Sequence, residues 1–157
     1  MIVVADTSPI NYLVLIDEIN LLPQIFGSVL VPDAVWQELS ASGSPPAIRQ
    51  WIATNPDWID IEKPVDLDTT IKLGVGEVEA ISLAKERRAD LVLIDDRKAR
   101  LAAIERGLNV TGTINILELA AKRNLIDITV AFRDLQKTNF RIANALIEEI
   151  IKRNSLP

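Results

Sequence analysis

The residues of this sequence that could do chemistry are carboxylates at the ends of predicted strands and helices. Asp6 ends the apolar run IVVAD, and Asp95 and Asp96 follow the apolar run LVLI. Glu38 lies in the helical stretch DAVWQELSA, and Glu77 begins the helical stretch EVEAISLAKERR. Carboxylates that crowd together repel one another unless a cation neutralises them, and Mg²⁺ prefers oxygen ligands. If these acids converge, they could hold a divalent cation that activates water and shields phosphate charge.

Each acid also has a purely structural role open to it when it is taken alone. Asp95, before the helical stretch RKAR, suits an N-cap, and Asp6 before Thr-Ser-Pro suits one as well. Glu77 in a first helical turn would favour the helix dipole. Glu38 could simply lie on a solvated helix face. A structural role is weakest for Asp6, because it interrupts an otherwise apolar run. The joint pattern is therefore more specific than any single acid.

Composition narrows the chemistry further. The chain has no histidine and no cysteine. This excludes Ser-His-Asp and Cys-His mechanisms, disulfides and the commonest zinc ligands. Hydrolysis would have to rest on carboxylates, hydroxyls, Lys or Arg, with magnesium or manganese as the fitting metals.

Charge is divided unevenly along the chain. Residues 1–79 carry 12 acids and 3 bases, whereas residues 80–157 carry 10 acids and 14 bases. This asymmetry fits an acidic metal site beside a basic substrate track, although an ordinary solvated surface accounts for it equally well. Three bases lie next to the late acids: Arg97, Lys98 and Arg100. They are candidates for the basic track, or they pair with neighbouring acids.

Length and hydropathy bound the architecture. The 157 residues suit one domain, 1–157, with helices over 127–153 forming a C-terminal extension. The longest apolar runs have about five residues, far short of the ~20 that span a bilayer. We therefore expect no membrane segment and no signal peptide, and a reducing cytoplasm fits the absence of cysteine.

Strands alternate with helices along the chain. Apolar runs predict strands at IVVAD, SVLVP, WIDIE, LVLI and LNVTG, and helical patterns lie between and after them, with Pro32 expected to start one helix. The segment KPVDLDTTIKLGVG is expected to be a loop, with room for a short helix. This alternation predicts an α/β fold with a mostly parallel sheet covered by helices on both faces. Ligands of such folds gather at the carboxyl ends of the strands, where all of these acids are expected.

Five segments together resemble the PIN-domain family of metal-dependent ribonucleases. They are VVADTSPI, VPDAVWQEL, GVGEVEAISLA, LVLIDDRKAR and GLNVTGTINIL, in the family's order over roughly residues 1–120. Three blocks within them, GxGE-x-EA, IDDR-x-AR and G-T-x-x-x-L, look most like a bacterial and archaeal branch close to the VapC toxins. The resemblance implies a three-layer α/β/α sandwich and cleavage of RNA phosphodiester bonds by water with Mg²⁺ or Mn²⁺.

Position by position, the resemblance assigns roles to site residues. Asp6, Glu38, Glu77 and Asp96 match the four catalytic acids, with Asp95 a competitor for the fourth place and Glu77 standing where many relatives have Asp. The implied metal ligands are Asp6, Glu77, Asp95 and Asp96. The implied substrate-side residues are Ser8, Thr113 at the site rim, Arg97, Lys98 and Arg100.

Competing functions differ in what the acids do. The resemblance implies the toxin of a toxin–antitoxin pair, inhibited by a small antitoxin protein. A PIN-like module that binds nucleic acid or protein without cleaving is the alternative, and four retained acids disfavour it. A phosphoacceptor receiver domain fits less well, because its acidic pair should follow the first strand.

Apolar residues in 127–153 also predict a homodimer, because they exceed what one edge of a domain this size obviously needs. They are Val130, Phe132, Leu135, Phe140, Ile142, Leu146, Ile147, Ile150 and Ile151. Completion of the monomer core is the equally weighted alternative for the same residues.

Overall fold

The computed structural model describes residues 1–155 of the chain. Within them, five strands form one sheet in the order β3-β2-β1-β4-β5, and every neighbouring pair is parallel. The strands are β1 (Val3–Ala5), β2 (Val29–Pro32), β3 (Ile59–Glu62), β4 (Leu91–Leu93) and β5 (Val110–Thr111). In the centre, Val4 of β1 lies opposite Leu30 of β2 and Val92 of β4.

Helices connect and follow the strands. They are α1 (Thr7–Leu15), α2 (Leu21–Phe26), α3 (Asp33–Leu39), α4 (Pro46–Ala53), α5 (Val75–Glu86), α6 (Arg97–Glu105), α7 (Thr113–Lys122), α8 (Ile128–Gln136) and α9 (Asn144–Ser155). No helix in residues 1–155 is both long and apolar enough to cross a membrane.

Alternating side chains of the central strands build two cores. Val3 and Ala5 face the core formed with α1–α4 and α7–α9, whereas Val4, Leu30 and Val92 face the core formed with α5 and α6. Because successive strand residues point to opposite faces, a strand buried on both faces is apolar throughout, as β1 and β2 are. The predicted three-layer α/β/α sandwich with a parallel sheet is confirmed.

Helix α3 differs in its boundaries from the sequence prediction, whereas the segment before α5 is a loop, as predicted. Pro32 ends β2, and α3 begins at Asp33 and stops at Leu39, short of the expected end near Gly43. The loop before α5 contains no helix. Instead, the Asp68 carboxylate accepts hydrogen bonds from Thr70, Lys85 and Arg106, which anchor the loop.

The C-terminal helices complete the main core. Phe132, Leu135, Ile147 and Ile150 are buried there, and Phe140, Ile142 and Ile151 pack against the same core. Two of the nine apolar residues behind the dimer prediction are exposed, Val130 and Leu146. The apolar surface that motivated that prediction is therefore mostly used within the monomer.

An ion pair fastens the last helix to α7. The carboxylate of Glu118 on α7 accepts hydrogen bonds from Nε and Nη2 of Arg153, at 2.7 and 2.8 Å, and from Asn154 at 2.9 Å. The hydrogen bonds from Arg153 lower the pKa of Glu118 below its usual value. This clamp stabilises the folded protein above the unfolded-state pKa of Glu, about 4.3, and is lost as pH falls through the lower folded-state pKa.

Glu118→Gln should therefore destabilise the protein at neutral pH. We expect the unfolding temperature to fall by about 2–4 °C at pH 7, because a charged bidentate contact is lost, and by less below pH 4. Thermal unfolding by circular dichroism measures this difference. Glu148→Gln, at an exposed position on α9, is the matched control. Equal stability of both variants at pH 7 would contradict the clamp.

Candidate active site

The Asp6 carboxylate lies at the centre of the sheet's carboxyl edge. The backbone N–H of Asp6 donates to the carbonyl of Leu93 at 2.9 Å, which continues the β1–β4 pairing. Its residue surface is 5% exposed, so the carboxylate is held inside the protein. Although Asp6 directly precedes α1, its side chain makes no capping hydrogen bond. Helix capping therefore does not account for this acid.

The pKa of Asp6 lies well above the usual value for an aspartate. Burial raises the pKa of Asp6 to about 7, and the charges of Glu77, Glu38 and Asp95 add to that rise. A hydrogen bond from the backbone of Thr7 acts in the opposite direction but is outweighed. A carboxyl group surrounded by other carboxylates in this way is a natural ligand for a cation, which would favour its charged form.

Four of the predicted catalytic acids line one open pocket, of about 760 Å³. They are Asp6, Glu38, Glu77 and Asp96. Ser8 and Thr7 line it as well. The sheet topology accounts for this convergence, because β1, β2 and β4 lie side by side and end at the same edge. We call this space the acid pocket.

Glu38 is held in place by its neighbours on two helices. The Thr7 hydroxyl donates to Oε2 of Glu38 at 2.7 Å. A Cβ on Gly76 would lie 3.1 Å from the same oxygen, so the glycine lets α5 approach this carboxylate closely. The side chain is exposed to the pocket, and the Thr7 hydroxyl holds one of its carboxylate oxygens.

Glu77 lies close enough to Asp96 and Glu38, acids of two other elements, for their charges to affect it. It lies in the first turn of α5 and is half-buried. Burial and the charges of Asp96 and Glu38 raise the pKa of Glu77, while a hydrogen bond from the backbone of Gly74 lowers it. Helix-dipole stabilisation and crowding among acids are therefore both present at this residue.

The two adjacent aspartates do different things. Asp96, not Asp95, is the N-cap of α6, accepting a hydrogen bond from the N–H of Ala99 at 3.0 Å. The prediction that Asp95 caps this helix is wrong. Asp95 turns away from the helix start and accepts hydrogen bonds from the Ser8 hydroxyl at 2.8 Å and from Thr113 N and Oγ1, each at 2.7 Å. Asp96 lines the acid pocket while also capping the helix.

The substrate-side predictions are spread more widely than expected. Ser8 lines the acid pocket, but Thr113 is fully buried, which corrects its expected place at the rim. Arg97 is exposed, Lys98 lines a separate pocket beside Lys72, and Arg100 faces a cleft on the far side of Asp95. On α6, Lys98 points about 100° away from Arg97 and about 160° away from Arg100, which separates it from the other two bases.

Two positioning residues escaped the sequence analysis. Glu79 is buried on α5 and accepts a hydrogen bond from the N–H of Ala34 at 3.0 Å, in the first turn of α3. It thereby caps the helix that carries Glu38, which begins after Pro32 without a side-chain cap of its own. The one sequence signal for Glu79 was an acid among the apolar residues of α5.

Gly112 is the second such residue. A Cβ at this position would lie 2.7 Å from Oδ1 of Asp95, so the glycine allows Asp95 to reach Thr113. Its place between β5 and α7 is an ordinary one for a glycine, and the sequence carried no signal for this close approach.

The donor set suits a hard divalent cation. In residues 1–155, no group of three or more acidic side chains is already close enough to enclose a metal ion. The pocket nevertheless presents oxygen donors from four acids, and the raised pKa values of Asp6 and Glu77 mark a site that lacks positive charge. Mg²⁺ is held by few carboxylates and keeps several waters, so an open arrangement fits its chemistry.

Comparison with models of known protein families shows which family the chain belongs to. A family model described as a PIN domain matches residues 2–155. The chain belongs to the PIN-domain family. PIN domains are generally nucleases, which are hydrolases, and the family typically uses divalent metals. No curated protein and no solved structure matches this PIN domain. The family prediction is confirmed, whereas the VapC-like branch stays a prediction.

Asp6→Asn should stabilise the metal-free PIN domain at neutral pH. Between about pH 4, where unfolded Asp titrates, and about pH 7, the folded state binds more protons than the unfolded state. Stability therefore falls as pH rises through this window. Asparagine removes that loss, on the order of a few kcal/mol at 1.36 kcal/mol per pKa unit.

Urea unfolding in EDTA at several pH values measures this effect. We expect the variant to gain most above pH 7 and to match the wild type near pH 4. Asp57→Asn, at an exposed position, is the control and should change nothing. A wild type whose stability keeps rising from pH 4 to pH 8, in parallel with Asp6→Asn, would refute the buried-acid argument.

Proposed function

We propose that this PIN domain is a metal-dependent endoribonuclease that hydrolyses RNA phosphodiester bonds. The observation that carries the proposal is the buried Asp6 carboxylate, with its raised pKa, in one pocket with Glu38, Glu77 and Asp96. The family supplies the general class, nuclease. The preference for RNA rests on the resemblance of the five sequence segments.

Each acid has a distinct proposed role. Asp6, Glu77 and Asp96 would hold Mg²⁺ or Mn²⁺, which when bound supplies an activated water and neutralises phosphate charge. Glu38, held by Thr7, orients the attacking water through its free oxygen. Asp95 was a candidate ligand from sequence, and its three hydrogen bonds support a positioning role instead.

The hydroxyl and basic residues complete the proposal. Ser8 lines the acid pocket, and its hydroxyl is oriented by the hydrogen bond that it donates to Asp95. Arg97, Lys98 and Arg100 remain candidate phosphate contacts, and Arg100 shares a cleft with Asp95. Thr113 contributes by fixing Asp95 rather than by touching substrate, because it is buried.

RNA cleavage with Mg²⁺ or Mn²⁺ tests the function. We expect the purified wild type to cut a panel of RNAs with either metal and to stop in EDTA. Asp6→Asn and Asp96→Asn keep side-chain size but lose ligand charge, so cleavage should fall at least about a hundredfold. Asp57→Asn is the matched control. Full activity of Asp6→Asn, or full activity in EDTA, would refute the proposed metal site.

The binding-module alternative makes the opposite prediction in the same assay. RNA binding by wild type without cleavage under any metal would favour it. The half-buried Glu77 and the buried Asp6 argue against it, since a binding surface gains nothing from holding acids that destabilise the fold.

We further propose that the chain is a toxin held by an antitoxin. The support is the VapC-like sequence resemblance and the acidic edge around Asp6 and Glu38, which a basic or polar segment of a small protein could cover. Such a toxin would act on RNA in the cytoplasm. A homodimer is also proposed, for which the exposed Val130 and Leu146 are the remaining apolar support.

Expression without a partner tests the toxin role. Wild type should arrest or slow growth of a bacterial host, whereas Asp6→Asn, at equal protein level, should not. Growth curves with immunoblotting measure both. Harmless accumulation of wild-type protein that is active after purification would contradict a toxin.

A further inference from the structure

A second cleft lies on the other side of Asp95 from the acid pocket. It has a volume of about 360 Å³. Its polar lining includes Asp95, Arg100, Asn115, Arg141 and Arg153. We call it the basic cleft. Three arginines line it, although the net charge of the protein is −5.

Two of its arginines have no partner within residues 1–155. Arg153 is engaged by Glu118, but neither Arg100 nor Arg141 has a side-chain hydrogen bond or ion pair in the described part of the chain. Arg100 is half-buried, but its guanidinium nitrogens are not closed off from the cleft, so its N–H donors are available to an acceptor that enters. Such a group is set up to receive an anion.

The backbone makes room for Arg100. A Cβ on Gly112 would lie 2.9 Å from Nη1 of Arg100 and 2.7 Å from Oδ1 of Asp95. The same glycine therefore admits both side chains to the wall between the two pockets. Gly112 has an extended backbone that any residue adopts, so the requirement comes from space and not from conformation.

Arg141 is carried by a segment that is fixed to the acid pocket. Its neighbour Phe140 packs edge-to-face on Tyr12, with ring centroids 4.8 Å apart. The Tyr12 hydroxyl donates to Oδ1 of Asn139 at 2.7 Å. Tyr12 lines the acid pocket and Phe140 lines the basic cleft, so this ring pair spans the boundary between them.

We propose that the basic cleft binds a non-scissile backbone phosphate of the RNA strand through Arg100 and Arg141. The proposal rests on the proposed ribonuclease function. A strand whose scissile phosphate enters the acid pocket would cross the wall of Tyr12 and Asp95, and the cleft would hold the next part of its backbone. Arginine suits this task because its planar fork matches phosphate oxygens.

RNA binding without cleavage tests the cleft. Fluorescence anisotropy with a labelled short single-stranded RNA, in EDTA and over a range of salt, compares wild type with Arg100→Gln/Arg141→Gln. We expect roughly tenfold weaker binding or more. The slope of log K against log salt should flatten by about 0.7, since each phosphate of a single strand that is neutralised contributes about 0.7.

The control removes the same charge elsewhere. Arg88 and Arg123 follow the C-terminal ends of α5 and α7, whose first turns hold Glu77 and Thr113. They therefore lie about 15–18 Å along the helices from the site. Arg88→Gln/Arg123→Gln should keep wild-type affinity and slope. An equal loss in this control, or no change in the cleft variant, would overturn the proposal.

Two further readouts distinguish an RNA site from a structural role of the arginines and from a protein-binding site. The unfolding temperature of Arg100→Gln/Arg141→Gln should match wild type, and a clear fall would assign these arginines to the fold and overturn the proposal. An acidic peptide such as polyglutamate, used as competitor, should displace the RNA weakly. Tight, Arg141-dependent peptide binding in the absence of RNA binding would identify a protein partner instead and refute the RNA site.

The experiments distinguish failure of the proposed phosphate site from failure of the proposed nuclease function. Cleavage by wild type with Mg²⁺ or Mn²⁺, lost in Asp6→Asn, reports on the acid pocket alone. With cleavage intact, the cleft variant should raise KM on longer RNA and leave its kcat close to wild type. Lost binding in the cleft variant, together with full activity of Asp6→Asn, would support the cleft and reject the proposed metal site.

Discussion

The Asp95 carboxylate holds together the edge of the sheet at which the acid pocket and the basic cleft lie. Its oxygens accept hydrogen bonds from Ser8 at the start of α1 and from the backbone and hydroxyl of Thr113 at the start of α7. One side chain after β4 thus ties together three segments that are far apart in sequence. The contact requires Gly112, because a Cβ there would meet Oδ1 of Asp95. This hydrogen-bond network and the Tyr12–Phe140 ring pair together form the wall between the acid pocket and the basic cleft.

A second constraint is the folding free energy that is lost by burying the Asp6 carboxylate. Asp6 must sit at the end of the central strand to reach the pocket, and that position is almost closed to solvent. Burial and neighbouring charges raise its pKa to about 7, so the ionised form opposes folding at neutral pH. The rest of the fold offsets this loss through two extensive cores and through local ties such as the Glu118–Arg153 clamp. Functional sites commonly retain such unfavourable features.

The supporting residues show how the pocket keeps its shape before any ligand arrives. Glu79 caps α3 from α5, and Thr7 holds the Glu38 carboxylate. Glycine at position 76 brings α3 and α5 close enough for these contacts. On the other side, the Tyr12–Phe140 ring pair connects the pocket to the segment before α9. The C-terminal helices therefore contribute to the core, and the segment between them carries Arg141 beside the proposed substrate path.

The sequence by itself determined the positions of the strands along the chain, their mostly parallel arrangement and the edge of the sheet that carries the acids. A short apolar run such as LVLI suits a strand buried on both faces, and helices between such strands favour parallel connections, so Asp6 and Asp96 were expected at the same edge. The sequence did not decide between Asp95 and Asp96, because adjacent residues after a strand point in different directions that depend on the turn. It also could not show that Glu79 caps α3, that Arg100 separates from Lys98, or that the C-terminal helices complete the core. Those outcomes depend on contacts between segments distant in the chain, and only the packing of helices against the sheet settles which side chains meet.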